Sequence, residues 1–180
     1  MILKNKNILI TGAGKGIGFS SVKNFLLEDA FVYILIKSKK DLKKFVNFPE
    51  KNFKLYLGDV RNKDLLKKIF NDSLLIKKPI NCLVNNAGIR FRKNFIKISK
   101  KQIMNVFETN FFSIFFLTQI FVKFLIRHKI KGSIVNIGSI VGHTGFKELS
   151  GYGASKGALS ALTKNLSTEF KELFILSAIA

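Results

Sequence analysis

The chain has 180 residues, enough for one domain with a sizeable core, and its 31 basic against 11 acidic residues give a formal net charge of +20. The lysines run from Lys4 to Lys171 in short clusters only, with no basic stripe and no nucleic-acid motif, so the charge reads as solvated lysine faces; a specific nucleic-acid partner is not expected. One cysteine, Cys82, excludes an internal disulfide and reads as a small buried hydrophobe in a reducing compartment; His128 and His143 lie far apart, so no metal site is expected.

The amino terminus, MILKNKNILITGAG, lacks the long apolar core of a secretion signal, which points to a cytoplasmic protein. NILIT (7–11) is a predicted strand, and TGAGKGIG (11–18) turns into a helix with Val22, Phe25 and Leu26 on one face. FVYILI (31–36) and FKLYL (53–57) are the next two strands, and Leu65, Leu66, Ile69 and Phe70 mark the helix that follows. INCLV (80–84), SIVNIG (133–138) and LFILS (173–177) complete the strands. Each run is nearly continuous in hydrophobicity, as a parallel sheet covered on both faces requires. The repeated strand–helix unit predicts one α/β domain over residues 1–180, a doubly wound parallel sheet in three layers.

The helix at 107–127 is apolar on two sides, with Phe107, Phe111, Ile114, Phe115, Val122 and Leu125 on one stripe and Phe112, Phe116, Ile120 and Phe124 on the other. Glu108, Asn110, Gln119 and Lys123 interrupt it, which disfavours a membrane span, and no membrane partner is expected. Two apolar faces need two partners, here the sheet and a second subunit.

The glycine loop carries chemistry. Gly12 permits the tight exit from the strand, Gly16 lets backbone approach a pyrophosphate, and Gly18 lets the helix pack on the sheet. Amide groups and the positive helix end then receive phosphates.

Other stations extend the pattern: GDV at 58–60, NNAG at 85–88, ETN at 108–110, NIGS at 136–139, and YGASK, with Tyr152 four residues ahead of Lys156. With TGxxxGxG at its start, the chain resembles the short-chain dehydrogenase/reductases, most of all the 3-oxoacyl-acyl-carrier-protein reductases. The resemblance implies a Rossmann fold, a homo-oligomer built through the helices at 107–127 and 152–170, and hydride transfer between a nicotinamide cofactor and a small carbonyl or alcohol substrate. It implies cofactor contacts at Gly12, Gly14, Lys15, Gly16, Ile17, Gly18, Lys37, Asp59, Val60, Asn86, Ala87, Gly88, Tyr152 and Lys156. A catalytic set of Asn110, Ser139, Tyr152 and Lys156 is implied as well.

The residues themselves support those roles. Ketone reduction leaves an alkoxide that needs a proton, and a tyrosine with an ordinary pKa of ~10 needs help to supply it near neutrality. One helical turn places the Lys156 ammonium where it favours the phenolate. Ser139, at a strand end, is placed to hydrogen-bond the substrate oxygen; for Asn110 it is the resemblance that implies a part in holding a relay water. Glycine and alanine around the pair read as clearance for the cofactor and a neighbouring helix. After the second strand no acid occurs until Asp41, whereas Lys37 and Lys15 suit a 2′-phosphate; NADP(H) is expected, with NAD(H) the alternative.

The sequence departs from the family near its end. It closes on LFILSAIA without the Pro-Gly turn, substrate lid, helix and final strand of the resembled reductases, and Ser177 stands where they usually carry asparagine. The expectation is therefore a fold lacking the last strand and lid, and the alternative function is a catalytically impaired nucleotide-binding or interaction protein.

Overall fold

The computed structural model describes residues 1–172 and 174–179, the last six by their backbone alone. Strands β1 (Asn7–Thr11), β2 (Phe31–Ile36), β3 (Phe53–Leu57), β4 (Cys82–Asn85), β5 (Gly132–Ile137) and β6 (Phe174–Ile179) form one parallel sheet in the order β3-β2-β1-β4-β5-β6. The first three strands occupy the expected positions. β4 starts two residues late, because Ile80 and Asn81 belong to the incoming turn, where the Asn81 amide donates to the Asn7 carbonyl. β5 begins and ends one residue earlier than expected, and β6 runs on to Ile179; Leu173, the first residue of the expected run, is outside the described residues.

Sheet periodicity divides the core in two. Leu9, Tyr33, Leu35, Leu83 and Ile134 point to one face, where Leu66, Ile69 and Phe70 of α2 (Lys63–Leu75) meet them. Ile8, Ile10, Val32, Ile34 and Ile36 point to the other, against Val22 of α1 (Gly16–Leu27). Each fully buried leucine or isoleucine contributes about 1.5–3 kcal/mol, so these strands carry much of the stability. No α-helix joins β2 to β3. Instead a 3₁₀ segment at Lys39–Phe45 and the loop after it bring Phe45 and Phe48 against Phe19 and Phe53, with ring centroids 5.5–6.5 Å apart.

The apolar helix at 107–127 is three pieces: α3 (Lys100–Phe107), a π turn at Glu108–Phe112, and α4 (Ser113–His128). Its buried stripe is Ile114, Leu117, Phe121, Val122, Phe124 and Leu125, of which the last five pack in the α2-side core. The two-stripe assignment is corrected at Phe115, which is 38% exposed although grouped with the buried Ile114, Val122 and Leu125, and at Phe124, which is buried although grouped with the exposed Phe116. Half of the most apolar window in this helix is packed inside the protein, although its length and composition would suffice for a membrane crossing.

α5 (Ser150–Glu169) lies on the same face as α4, since Asn136 of β5 donates to Thr163 and Asn85 of β4 to Thr118. The α1 face is covered less evenly. Val32, Ile34 and Ile36 there are buried, whereas Cys82, Ser133, Val135 and Ile137 are only half-buried, so the third layer extends over part of the sheet. Cys82 is thus not a fully buried hydrophobe; its sulfur accepts the Ser133 hydroxyl at 3.1 Å.

Candidate active site

The site opens at the carboxyl ends of the strands, where the order reverses between β1 and β4. Gly12 leaves β1 at φ +65°, and a Cβ there would stand 2.7 Å from Ala87 Cα, so conformation and space both demand glycine. Gly16 begins α1 at φ +54° with nothing within 4 Å of where a Cβ would lie, which leaves the helix start accessible. Gly18 packs against the Gly12 carbonyl and Asn86. Lys15, the helix N-cap, makes no side-chain capping bond, and the amides of the first turn are available to an anion.

Thr11, which the sequence reading passed over, fastens the loop to its neighbour. Its Oγ1 accepts the Asn86 and Ala87 amides at 3.2 and 3.0 Å, and the Asn86 side chain donates to the carbonyls of Thr11 and Gly12. A threonine directly before a strand-end glycine was the available signal.

Past β3, the Asp59 carboxylate is gripped by Arg61 through two side-chain bonds and the Arg61 amide, while the Lys37 ammonium lies 2.8 Å away. The Arg61 guanidinium, more than Lys37, holds Asp59 well below the usual carboxylate range despite partial burial. Lys44 donates at 2.6 Å both to the Gly14 carbonyl and to Asp41, so Asp41 reaches the glycine loop already paired. A side chain at Gly14 would collide with that carboxylate.

The π turn carries Asn110 to full burial behind the site wall. Its Oδ1 accepts the Ile89 amide at 2.8 Å, and its Nδ2 donates to the Ile89 carbonyl and to Ser155 Oγ at 3.0 and 3.2 Å. Ser139 stands just past β5 as cap of a short turn, its Oγ accepting the Val141 amide at 3.3 Å. That leaves the hydroxyl hydrogen for another acceptor. α5 brings Tyr152 and Lys156 one turn apart.

Lys156 is 5% exposed, donates to the Ile137 carbonyl at 2.6 Å, and has no carboxylate partner among the described residues. Burial pushes its ammonium down to about 8. The small residues around it give clearance chiefly to protein. A Cβ at Gly151 would meet Ile103 of α3 and one at Gly153 the Val141 carbonyl, while Ala154 is exposed.

These groups share one cavity of about 1300 Å³. Gly12, Gly14, Lys15, Gly16, Ile17, Lys37, Asp59, Val60, Asn86, Ala87 and Gly88 line it at one end or along its floor, and Ser139, Tyr152 and Lys156 at the other. Gly18 and Asn110 do not line it; one packs beneath the loop and the other behind the wall. A dinucleotide fits this donor set: an open helix start, cations beside it, and a buried lysine deeper in the cleft.

Comparison with known proteins settles the family. The short chain dehydrogenase family model matches residues 6–176. The chain belongs to that family. It is 30% identical over 163 residues to carbonyl reductase [NADPH] 2 of Sus scrofa, covering 89% of this chain and 64% of that one. It is 32% identical over 172 residues to a 3-oxoacyl-[acyl-carrier-protein] reductase of Thermotoga maritima, covering 94% and 70%. Among solved structures, ElxO with NADP bound superposes with a TM-score of 0.89 at 30% identity, covering 97% of this chain and 72% of that one. A 4-hydroxyisoleucine dehydrogenase complexed with NADH and succinate superposes at 0.84 with 32% identity, covering 96% and 78%. The chain spans 59–65% of the length of the first three curated relatives.

Proposed function

We propose that this short chain dehydrogenase is an NADP(H)-dependent oxidoreductase that interconverts a carbonyl and an alcohol, with 3-oxoacyl thioesters and related ketones as its substrate class. One observation carries the reading: a buried lysine without a carboxylate partner among the described residues stands one helical turn from Tyr152, on the wall of the cavity that opens at the Gly16 helix start. Such a charge is costly to bury, and stabilising a nearby phenolate explains its place.

The glycine loop and first turn of α1 would hold the pyrophosphate, with Asp59 and Val60 beside the adenine and Lys156 at the nicotinamide ribose. The cofactor, when bound, supplies or accepts hydride. Ser139 donates a hydrogen bond to the substrate oxygen, fixing the carbonyl and favouring the charge that develops there. Tyr152 Oη gives its proton to that oxygen in reduction and takes it back in oxidation. The Lys156 ammonium lowers the cost of the tyrosinate left behind. Asn110 also braces the wall, because its side-chain amide is engaged by Ile89 and Ser155.

NADP(H) is favoured over NAD(H) because Lys15 and Lys37 flank the adenosine end, and because Asp41 is occupied by Lys44. Lys37 can turn to a 2′-phosphate without orphaning Asp59, which Arg61 still holds. Comparing dissociation constants tests this; tighter binding of NADH than of NADPH would overturn it. Turnover with NADPH and a 3-oxoacyl thioester, recorded beside binding, separates a reductase from a protein that only binds nucleotide.

The same reading includes self-association through the exposed side of α3 and α4, where Met104, Phe115 and Phe116 are at least 38% exposed, and through α5. A cytoplasmic location accords with the free thiol and with the apolar helix being packed into the fold.

A further inference from the structure

Ser155 lies between the two proposed catalytic residues of α5 yet does not line the cavity; it is fully buried against Asn110 of the π turn. Its hydroxyl donates to the Tyr152 carbonyl at 2.7 Å, a local bond that many helical serines make. It also accepts the Asn110 amide at 3.2 Å from a different element, which a purely local serine does not do. Asn110 in turn holds both backbone groups of Ile89, at 2.8 and 3.0 Å, and Ile89 lines the cavity beside Gly88. A continuous buried path therefore runs from the backbone of Tyr152, through Ser155 and Asn110, to the opposing wall at Ile89. Asn110 Oδ1 would stand 3.4 Å from a Cβ at Gly88, so a swing of this amide disturbs the floor directly.

Resting on the assignment of Tyr152 as acid–base, we propose that Ser155 is a positioning residue that sets the distance between the Tyr152–Lys156 turn and the Ile89 wall. Without its oxygen, one buried Asn110 N–H loses its acceptor, the amide reorients, and the Ile89 backbone bonds weaken. Tyr152 then meets the substrate oxygen at a poorer angle, while the nucleotide contacts at the glycine loop are untouched.

The test compares parent, Ser155→Ala and Ser155→Thr, the last keeping a hydroxyl able to bond the preceding turn. For Ser155→Ala, the expected result is roughly tenfold lower kcat with an NADPH dissociation constant within about twofold of the parent. The alkaline limb of the kcat profile should move as the Tyr152–Lys156 geometry relaxes. Hydrogen exchange at the Ile89 amide should accelerate about tenfold while that at Leu9 and Ile134 stays as in the parent, and Ser155→Thr should restore both readouts. Unchanged kcat and unchanged Ile89 exchange in Ser155→Ala would overturn the proposal, as would uniform acceleration of all three amides, the mark of a merely structural role. If the parent turns over no ketone, the Tyr152 reading fails on its own, and Ile89 exchange still decides whether Ser155 braces the wall.

Discussion

Lys156 is the residue on which the proposed chemistry turns. A lysine with a folded-state pKa near 8 and an unfolded value near ~10.4 is protonated more readily in the unfolded chain between those limits. Its contribution to stability therefore rises as pH increases from about 8 to ~10.4, whereas its catalytic use requires the proton and weakens over the same range. The expected kcat profile for reduction falls with an apparent pKa near 8, and Lys156→Met should lose roughly 10²-fold or more with no such limb. A profile flat through pH 9 in the parent would detach Lys156 from the chemistry. Tyr152→Phe should bring turnover to background while NADPH affinity stays within a few-fold, because the ring keeps its packing and loses only the proton donor.

At the scale of elements, two features invite measurement. The glycine loop has no slack at Gly12, so Gly12→Ala must both strain a positive φ and push Ala87 away. A loss of about 1–3 kcal/mol in unfolding free energy, with NADPH affinity falling alongside, is expected by denaturant titration. Farther off, α2 is tied to the β3 edge by Asp72. Burial opposes its charge, but bonds from Lys68, Tyr56 and Lys54 outweigh that and keep its pKa below the ordinary value. A depressed carboxylate stabilises the fold above its unfolded pKa and loses that contribution as pH falls through the folded one. Asp72→Asn should therefore cost about 1–3 kcal/mol at neutral pH, and the gap to the parent should close below pH ~4. A gap that stays constant from pH 7 to pH 3 would contradict that origin.

These elements also show how far the sequence reaches. Apolar runs located β1 and β2 to the residue, because a strand buried on both faces needs nearly every position apolar, and a similar run located the half-buried edge strand β3. The glycine spacing and the Tyr152–Lys156 pair lay open for a similar reason, since backbone approach and helical phase are written locally. Thr11, Ser155 and the bracing role of Asn110 were not legible. Their partners lie at Asn86, Asn110 and Ile89, 75, 45 and 21 residues away, and no local pattern marks them. The π turn at Glu108–Phe112 was not legible either.

At the scale of the whole molecule, the strand order places every proposed site residue at one end of the sheet, and two of the apolar surfaces left open lie elsewhere. One is the Phe115–Phe116 side of α4, and self-association there should make mass by light scattering exceed that of one chain. Replacing both phenylalanines by serine should return it to a single chain's mass, and a parent already monomeric at high concentration would contradict the assignment. The other is the α1 face of β5, where Val135 and Ile137 are half-buried. The central claim is that hydride transfer at this cavity is completed by a proton from Tyr152. Stoichiometric NADPH deuterated at its transferable position, mixed with a 3-oxoacyl thioester, tests it most directly. Deuterium should appear at the alcohol carbon with the parent and at no more than background with Tyr152→Phe, although both bind NADPH alike. Equal transfer by the two proteins would contradict it.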